Sequence, residues 1–599
     1  MKKTVIIAIL AAICTSFVFG GEGYTNQQRI IAVDSTVYKA MENLFIISGR
    51  SLPSSSGPWS ENEMTLMLSY IDREQLDDTG KSYYDYVKSM VISVPKIRYR
   101  DNLAMQFGLD VNLEGYVHTN SEDFVDESDW FHGFTFRKPF LKVSFETWPV
   151  DSFYGYFELT AQHNYGYNVG LPADGGDNLL YKNKVNISIP ILNAVLFSNE
   201  LDKEGNTHTL ADFDWTVPYR AFVSFGSNHW NFMAGRDRLS WGSGETGNLM
   251  LSQSFPKQTF ARFNTYFEAF KYSIIATIYP DRNTEESQHK SLDGYKSLIV
   301  HRLEFNLFNN KVGLILNEAC MFWSTENEDG GWEHFNLAQI NPFGFMHNEY
   351  IAGNANSLLV IEANYTPSKG INVYGQLAID EFNGPGEERA NPPAFGILAG
   401  AKGAMTLGDG ILNGSLEFVK TDPFLYLRGL NYSDKLADQK GYGFSAPLRI
   451  ISCNRTTIQN KFVTYTYGND AIILDGKVSY EVPNTYKVGF EAMYMVHGSM
   501  NADSYWGRYN GNDDKTPDVS TPTEFNPFDP DDYDRSTNTI KQKHAIERTM
   551  VISFNGEYTI LDNLKAYGNI DLLFVTGQRN IKNANANDVQ ITLGASYSL

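Results

Sequence analysis

"LAMQFGLDVNLEGYV", residues 103–117, is the stretch from which the fold is read. Leu103, Met105, Phe107, Leu109, Val111 and Leu113 fall on one face, and Ala104, Gln106, Asp110, Asn112 and Glu114 on the other. A period of two marks a strand with unlike faces. The same pattern returns in "INVYGQLAIDEF", which sets Ile371, Val373, Leu377 and Ile379 against Asn372, Tyr374, Gln376 and Asp380. It returns in "LKAYGNIDLLFV", with Ala566, Ile570, Leu572 and Phe574 opposite Tyr567, Asn569 and Asp571. It closes the chain through Val589, Ile591, Leu593, Ala595, Tyr597 and Leu599.

Segments of about ten residues, apolar on one side and polar on the other, are the pattern of a transmembrane β-barrel. Only closure pairs the strand edges that hydrocarbon leaves unsatisfied. A soluble sandwich also alternates. Here, however, the pattern runs from about Asn102 to the end without a domain break, and aromatics recur at strand ends. The length predicts roughly 16 to 20 strands, with 18 the single expectation. Tight turns fall in "YTPSKGIN" (Tyr365–Asn372) and "YTILDNLKA" (Tyr558–Ala566), and one long polar insertion spans Gly498–His544. Short turns of such barrels face the periplasm and long loops face outside.

Residues 21–100 read differently. Ser35 caps a helix with Val37, Met41, Leu44 and Phe45 on one face, ended by Gly49. Ser60 and Glu63 have capping-box spacing ahead of Met64, Met67, Leu68 and Ile71. A third helix carries Tyr83, Tyr84, Val87 and Met90. Three short helices make a periplasmic bundle or a plug before a barrel over residues 101–599. Ahead of them Lys2, Lys3, the apolar run Thr4–Phe19 and Val18-Phe19-Gly20 form a signal peptide, residues 1–20, with cleavage expected after Gly20. The expected location is the outer membrane, with loops exposed at the cell surface.

Composition narrows the function. Lys and Arg number 49 against 70 Asp and Glu, a net charge of −21, which argues against nucleic acid as a partner. Beyond Cys14 only Cys320 and Cys453 remain, so no disulfide framework exists, and their pairing is open. There is no G-x-S-x-G and no H-E-x-x-H, and the H-x-x-E of His544 and Glu547 is too common to count. No catalytic residue, metal site or cofactor is expected, and the chain is read as no enzyme.

"GRDRLSWGSGETGNLMLSQSFP" (Gly235–Pro256) contains a G-x-G-x-x-G at Gly242, Gly244 and Gly247. A dinucleotide loop must open a helix after a strand. Strand-like sequence follows instead, so the glycines read as a close-packed turn folding over or into a pore. Alternation puts Arg236 and Arg238 on the lumenal face beside Ser240 and turns Asp237 toward lipid, rescued by a bulge at Gly235 or an interfacial position. The two arginines suit carboxylate or phosphate groups on a ligand, or seal the wall against acids such as Glu158 or Asp380. Trp241 suits either a sugar ring or an interfacial girdle. In the long insertion Tyr505, Trp506, Arg508, Tyr509 and Asn512 mix aromatic faces with polar groups, as carbohydrate binding requires. The acids there (Asp513, Asp514, Asp518, Asp529, Asp531, Asp532 and Asp534) lack Ca²⁺-loop spacing and read as a solvated loop. His301 reads as a satisfied wall residue.

The segment Gly235–Pro256, followed in order by "HRLEF" (His301–Phe305), "LNEACMF" (Leu316–Phe322), "INPFGF" (Ile340–Phe345) and "QLAIDEF" (Gln376–Phe382), resembles the capsule assembly Wzi family of outer-membrane proteins. The resemblance covers roughly Asn102 to Phe382. It implies an 18-stranded barrel with a helical bundle at its periplasmic end. It also implies a lectin-like role in holding capsular polysaccharide at the cell surface. The alternatives are a porin-like diffusion channel, permitted by polar inward residues such as Gln106, Asn112 and Asn569, and a surface adhesin using the long acidic loop. Expected partners are outer-membrane lipid, surface polysaccharide and the barrel-assembly machinery, around a monomer.

Overall fold

The structure, a computed structural model, describes residues 27–92, 97–99, 103–120, 122–124, 131–132, 138–150, 152–161, 187–188, 220–255, 257–281, 294–324, 355–382, 394–427, 443–452, 455–502, 504, 533–534, 539–540 and 546–599. The signal peptide, Tyr505, Trp506, Arg508, most of the long insertion and Cys453 lie outside these residues. So do the acids Asp513 to Asp532.

Eighteen antiparallel strands close into one barrel. In chain order they are β1 Leu103–His118, β2 Leu141–Val150, β3 Phe153–Ala161, β4 Arg220–Ser227, β5 Trp230–Asp237 and β6 Gln258–Tyr266. Next come β7 Phe270–Asp281, β8 Gly294–Leu307, β9 Val312–Ser324, β10 Ala355–Ser368, β11 Ile371–Glu381 and β12 Ala394–Leu407. The last six are β13 Gly410–Thr421, β14 Ala471–Val482, β15 Tyr486–His497, β16 Glu547–Leu561, β17 Leu564–Thr576 and β18 Asn585–Ser598. Closure joins the final strand to the first, with Ile591 opposite Val117 and Ser598 opposite Asp110. The expected strand count is met.

Alternation sets the two faces. On β1 Phe107, Leu113 and Val117 are exposed outward, while Asn112, Glu114, Tyr116 and His118 are buried inward. On β11 Ile371, Val373 and Leu377 point out, and Asn372, Tyr374 and Gln376 point in. Apolar residues thus meet hydrocarbon, and polar residues must find partners inside. Every second connection is short, such as Lys369 and Gly370 between β10 and β11 or Asp562 and Asn563 between β16 and β17. Exposed Tyr365, Tyr486 and Tyr558 ring this short-turn end. Their amphipathic rings suit a membrane interface.

Three helices precede the barrel. They are α1 Thr36–Ser48, α2 Glu61–Ser69 and α3 Asp78–Val91. Ser35 Oγ accepts from the Val37 amide, and Gly49 ends α1 at φ +78°, a left-handed value that costs glycine little. Ser60 Oγ accepts from the Glu63 amide at 3.2 Å, and Asp77 caps α3 through Gly80 at 2.7 Å. Met41, Leu44, Met64 and Val87 form a buried core, with Trp59 stacked on Tyr38 at 4.0 Å between ring centroids. The helices sit against the short turns: Thr79 Oγ1 donates to Gly408 O at 2.8 Å, and Asn62 Nδ2 to Asn228 O at 2.7 Å. Residues 51–58 leave this core and enter the barrel.

Candidate functional site: the filled lumen

Between β5 and β6 the chain turns inward instead of outward. Ser240 and Trp241 pair antiparallel with Gly57 and Ser56 of the entering segment, and the Gly242 amide donates to Ser55 O at 2.8 Å. Trp241 also bridges Leu251, which folds residues 241–251 back on themselves. Chain from the long-connection end therefore meets chain from the helical end inside the barrel.

The glycines follow from this packing. Gly242 and Gly247 both have φ +136°. A Cβ on Gly242 would lie 2.3 Å from Asn248 Oδ1, and one on Gly247 would lie 2.2 Å from Thr466 Oγ1. At Gly244 a Cβ would meet Gly247 O at 1.9 Å. The G-x-G-x-x-G spacing is a product of close approach, as read from the sequence.

Polar wall residues hold the segment. Glu417 of β13 accepts from the amides of Glu245 (2.8 Å) and Thr246 (2.9 Å), and from the hydroxyls of Thr246 (2.5 Å) and Tyr374 (2.6 Å). Gln376 accepts from the Leu249 amide at 2.9 Å. Tyr426, from the connection after β13, donates to Leu249 O at 3.0 Å, and Tyr465 meets Thr246 at 2.7 Å. The connection after β1 also folds in, with His132 Nδ1 2.9 Å from Asp571 and Asp588 accepting from the Thr119 and Asn120 amides.

Two charge sets, buried apart from the part-exposed Lys39, tie wall, segment and helices together. In the first, Lys39 of α1 lies 2.6 Å from Glu245 and 2.8 Å from Glu42, while Lys402 of β12 contacts Glu42 and lies 2.9 Å from Glu245. Burial disfavours the Glu245 carboxylate, but Lys39, Lys402 and Lys477 outweigh it and hold that carboxyl well below its ordinary value. Burial likewise disfavours the Lys39 ammonium, and Glu245 and Glu42 overcome it, raising the amine. In the second set Arg302 of β8, with no exposed side-chain surface, donates to Glu304 (2.8 Å), Asn317 (2.7 Å), Glu362 (2.6 Å) and Ser55. Lys271 of β7 donates to Ser54 at 2.9 Å and contacts Glu63. Glu63 is raised, chiefly by burial, with Lys271 opposing. Between α1, α2 and the short-turn ends of β6–β9 a shallow cleft remains, walled by Leu66, Met67, Tyr70 and Phe267.

The residues singled out from sequence take other places. Asp237, not Arg236, faces the lumen: the inward row of β5 is Asn231, Met233, Gly235 and Asp237. Arg220 grips Asp237 through two bonds of 2.7 and 2.9 Å. Pairing runs unbroken from Trp230–Thr265 to Asp237–Gln258, so no bulge intervenes. Arg236 points outward one residue from the strand end. An outward arginine there costs about 0–1 kcal/mol near an interface against about 2–4 at the midplane. Arg238 lies 3.6 Å from Asp34, Glu158 takes Lys257 at 2.7 Å, and Asp380 accepts from the Tyr426 amide. Arg238 therefore pairs with Asp34 where Glu158 or Asp380 was expected. Trp241 is wholly buried inside, neither in a girdle nor open to a ligand, with Arg302 over its ring at 5.8 Å. His301 is buried on the outward face and hydrogen-bonded to Tyr272 at 2.9 Å. Sequence reasoning missed Glu417, Arg302, Lys402 and Glu245. Each is one polar residue in an alternating strand or turn, with nothing local to mark it. Among the described residues no group of three or more His, Cys, Asp or Glu side chains is placed to hold a metal.

No protein-family model and no curated protein matches the sequence. Solved structures do match. Wzi of Escherichia coli, an outer-membrane protein involved in group 1 capsule assembly and a carbohydrate-binding β-barrel, aligns over 95% of this chain and 98% of its own at 11% identity and a TM-score of 0.52. The OprD structure of Pseudomonas aeruginosa (9% identity, 83% and 95% coverage) and the DcaP channel of Acinetobacter baumannii (8%, 84% and 100%) reach only 0.35 and 0.33. The resemblance read from the motifs thus extends to the architecture: this chain, an eighteen-stranded closed β-barrel with a small N-terminal helical part, has the fold of Wzi.

Proposed function

We propose that this chain is a non-enzymatic outer-membrane protein that binds surface polysaccharide at its long-connection end, around a lumen that does not conduct. One observation carries the reading. The lumen is occupied by the chain's own segments from both ends, joined by backbone pairing at Ser240–Gly57 and by the buried charges of Arg302, Lys402 and Glu245. A diffusion pore needs a continuous wet path, and buried ion pairs between wall and inward chain obstruct one. Carbohydrate binding by Wzi, which shares the architecture, supports the ligand class. The aromatic and polar residues Tyr505, Trp506 and Arg508 supply suitable chemistry in the long insertion, which faces outside by the rule for such barrels. The test is saturable binding of the purified full chain to its host's own surface polysaccharide, with Trp506→Ala and Arg508→Ala weakening it. Absence of binding by the unaltered chain contradicts the proposal.

A further inference from the structure

Glu245 enters the lumen from the long-connection end. Lys39 and Glu42 belong to α1 at the opposite, short-turn end. Lys402 stands on the wall between them, its side chain 4% exposed, and contacts both glutamates. The four side chains interlock, two ammonium and two carboxylate groups with each carboxylate bonded to both amines, and Lys477 adds its charge beside them by donating to Glu245 O at 3.3 Å. Removing Glu245 from the four leaves two cations sharing one anion, Lys402 buried at 4% exposure and Lys39 already 33% exposed. Such an imbalance is relieved when one cation moves out to solvent. Lys402 sits in a closed β-ladder and cannot leave, whereas Lys39 rides on a helix outside the barrel sheet.

The helix is held unevenly. Its C-terminal end is fixed by backbone bonds to the turns: the Gly370 amide donates to Ile46 O at 2.9 Å and the Ser51 amide to Asn310 O at 2.7 Å. Its first turns pack Val37, Ala40 and Met41 into the helical core and meet the inward segment through Lys39 and Glu42. The second tie, Ser240 and Trp241 pairing with Gly57 and Ser56, again joins the long-connection segment to chain from the helical end. Glu417 places Glu245 for this contact by accepting its amide and that of Thr246.

We infer that the barrel relays the state of its outer face to its periplasmic face. Displacing residues 238–257 from the long-connection side withdraws Glu245 from Lys39 and Lys402 and loosens the first half of α1 on the other side. The output is local: residues 36–43 loosen, and the turn-bonded end near Ile46 and Gly49 stays in place. This function is separate from polysaccharide binding and stands whether or not that ligand is correct.

Amide hydrogen exchange on the full chain in lipid nanodiscs tests it. Glu245→Gln is expected to speed exchange of amides 38–43 by at least about tenfold, with α3 amides unchanged. Glu417→Gln, which touches no residue of α1, is expected to do the same to a lesser degree. Combining Glu245→Gln with Lys39→Met restores charge balance and is expected to recover protection. Unchanged exchange in α1 for both single variants overturns the inference. So does an equal acceleration in α3, which would mean general loosening of the fold.

Discussion

Replacing Arg302 by methionine measures how dry the lumen is. The guanidinium donates to two carboxylates, one amide oxygen and one hydroxyl, all within the wall and the entering segment. Methionine keeps much of the apolar stem and removes every donor. Glu362 then retains only the Asn317 amide at 2.9 Å, while Glu304 keeps the hydroxyls of Ser54 and Ser56. Stripping one partner from a buried pair costs about 3–5 kcal/mol, because the other charge stays buried. An exposed pair in a water-filled pore is worth about 0–1 kcal/mol. The two cases differ by about 1.5 to 3.5 decades in the unfolding equilibrium. The assay is urea unfolding of the full chain in lipid vesicles, followed by tryptophan fluorescence. The double variant Arg302→Met, Glu362→Leu removes the stranded charge and is expected to recover at least half of the loss. A loss below about 1 kcal/mol for Arg302→Met would refute a dry, bonded interior.

Three further outcomes are expected. Gly247→Ala forces a Cβ onto Thr466 at φ +136°, so it should destabilise by about 1–3 kcal/mol and displace the inward segment; unaltered stability and an unaltered lumen would count against the close-packed turn. Asp470, at the root of the long insertion, accepts from the Met500 amide at 3.1 Å, and burial together with the Asp422 charge pushes its carboxyl up to about 7. The folded state therefore holds more protons than the unfolded chain between about pH 4 and 7, and its contribution is full below that window and lost as pH rises through it. Protection of the Gly498 and Met500 amides, corrected for intrinsic exchange, should fall from pH 5 to 8 and become flat in Asp470→Asn; a flat profile in the unaltered chain contradicts the assignment. Ser60→Ala removes the cap of α2 and should cost about 1 kcal/mol in thermal unfolding of the helical part, whereas no change would mean the cap bond is not formed.

Much of the architecture was legible because the bilayer imposes it. Hydrocarbon outside and bonded polar groups inside enforce the alternation seen at Leu103–Leu113, Ile371–Ile379 and Val589–Tyr597, so those faces could be assigned from the residues alone. The helix ends at Ser35, Gly49 and Ser60 were equally local. The phase of β5 was not. Arg236 and Arg238 flank Asp237, and treating the two arginines as the inward row put the acid on the wrong side. The residue that settles the phase is Arg220, on the neighbouring strand, where no sequence cue links it to Asp237. The filling of the lumen was only half visible. Glycine spacing indicated a tight turn, but its partners Glu417, Gln376, Tyr426 and Tyr465 come from distant strands and connections, and only closure of the barrel brings them together.

Planar-bilayer conductance of the purified chain tests the central claim most directly. The account predicts silence at moderate voltage, since Trp241, Arg302, Glu417 and their partners occupy the path. A steady, ion-selective current through the intact chain would contradict it and make the protein a channel built on this fold.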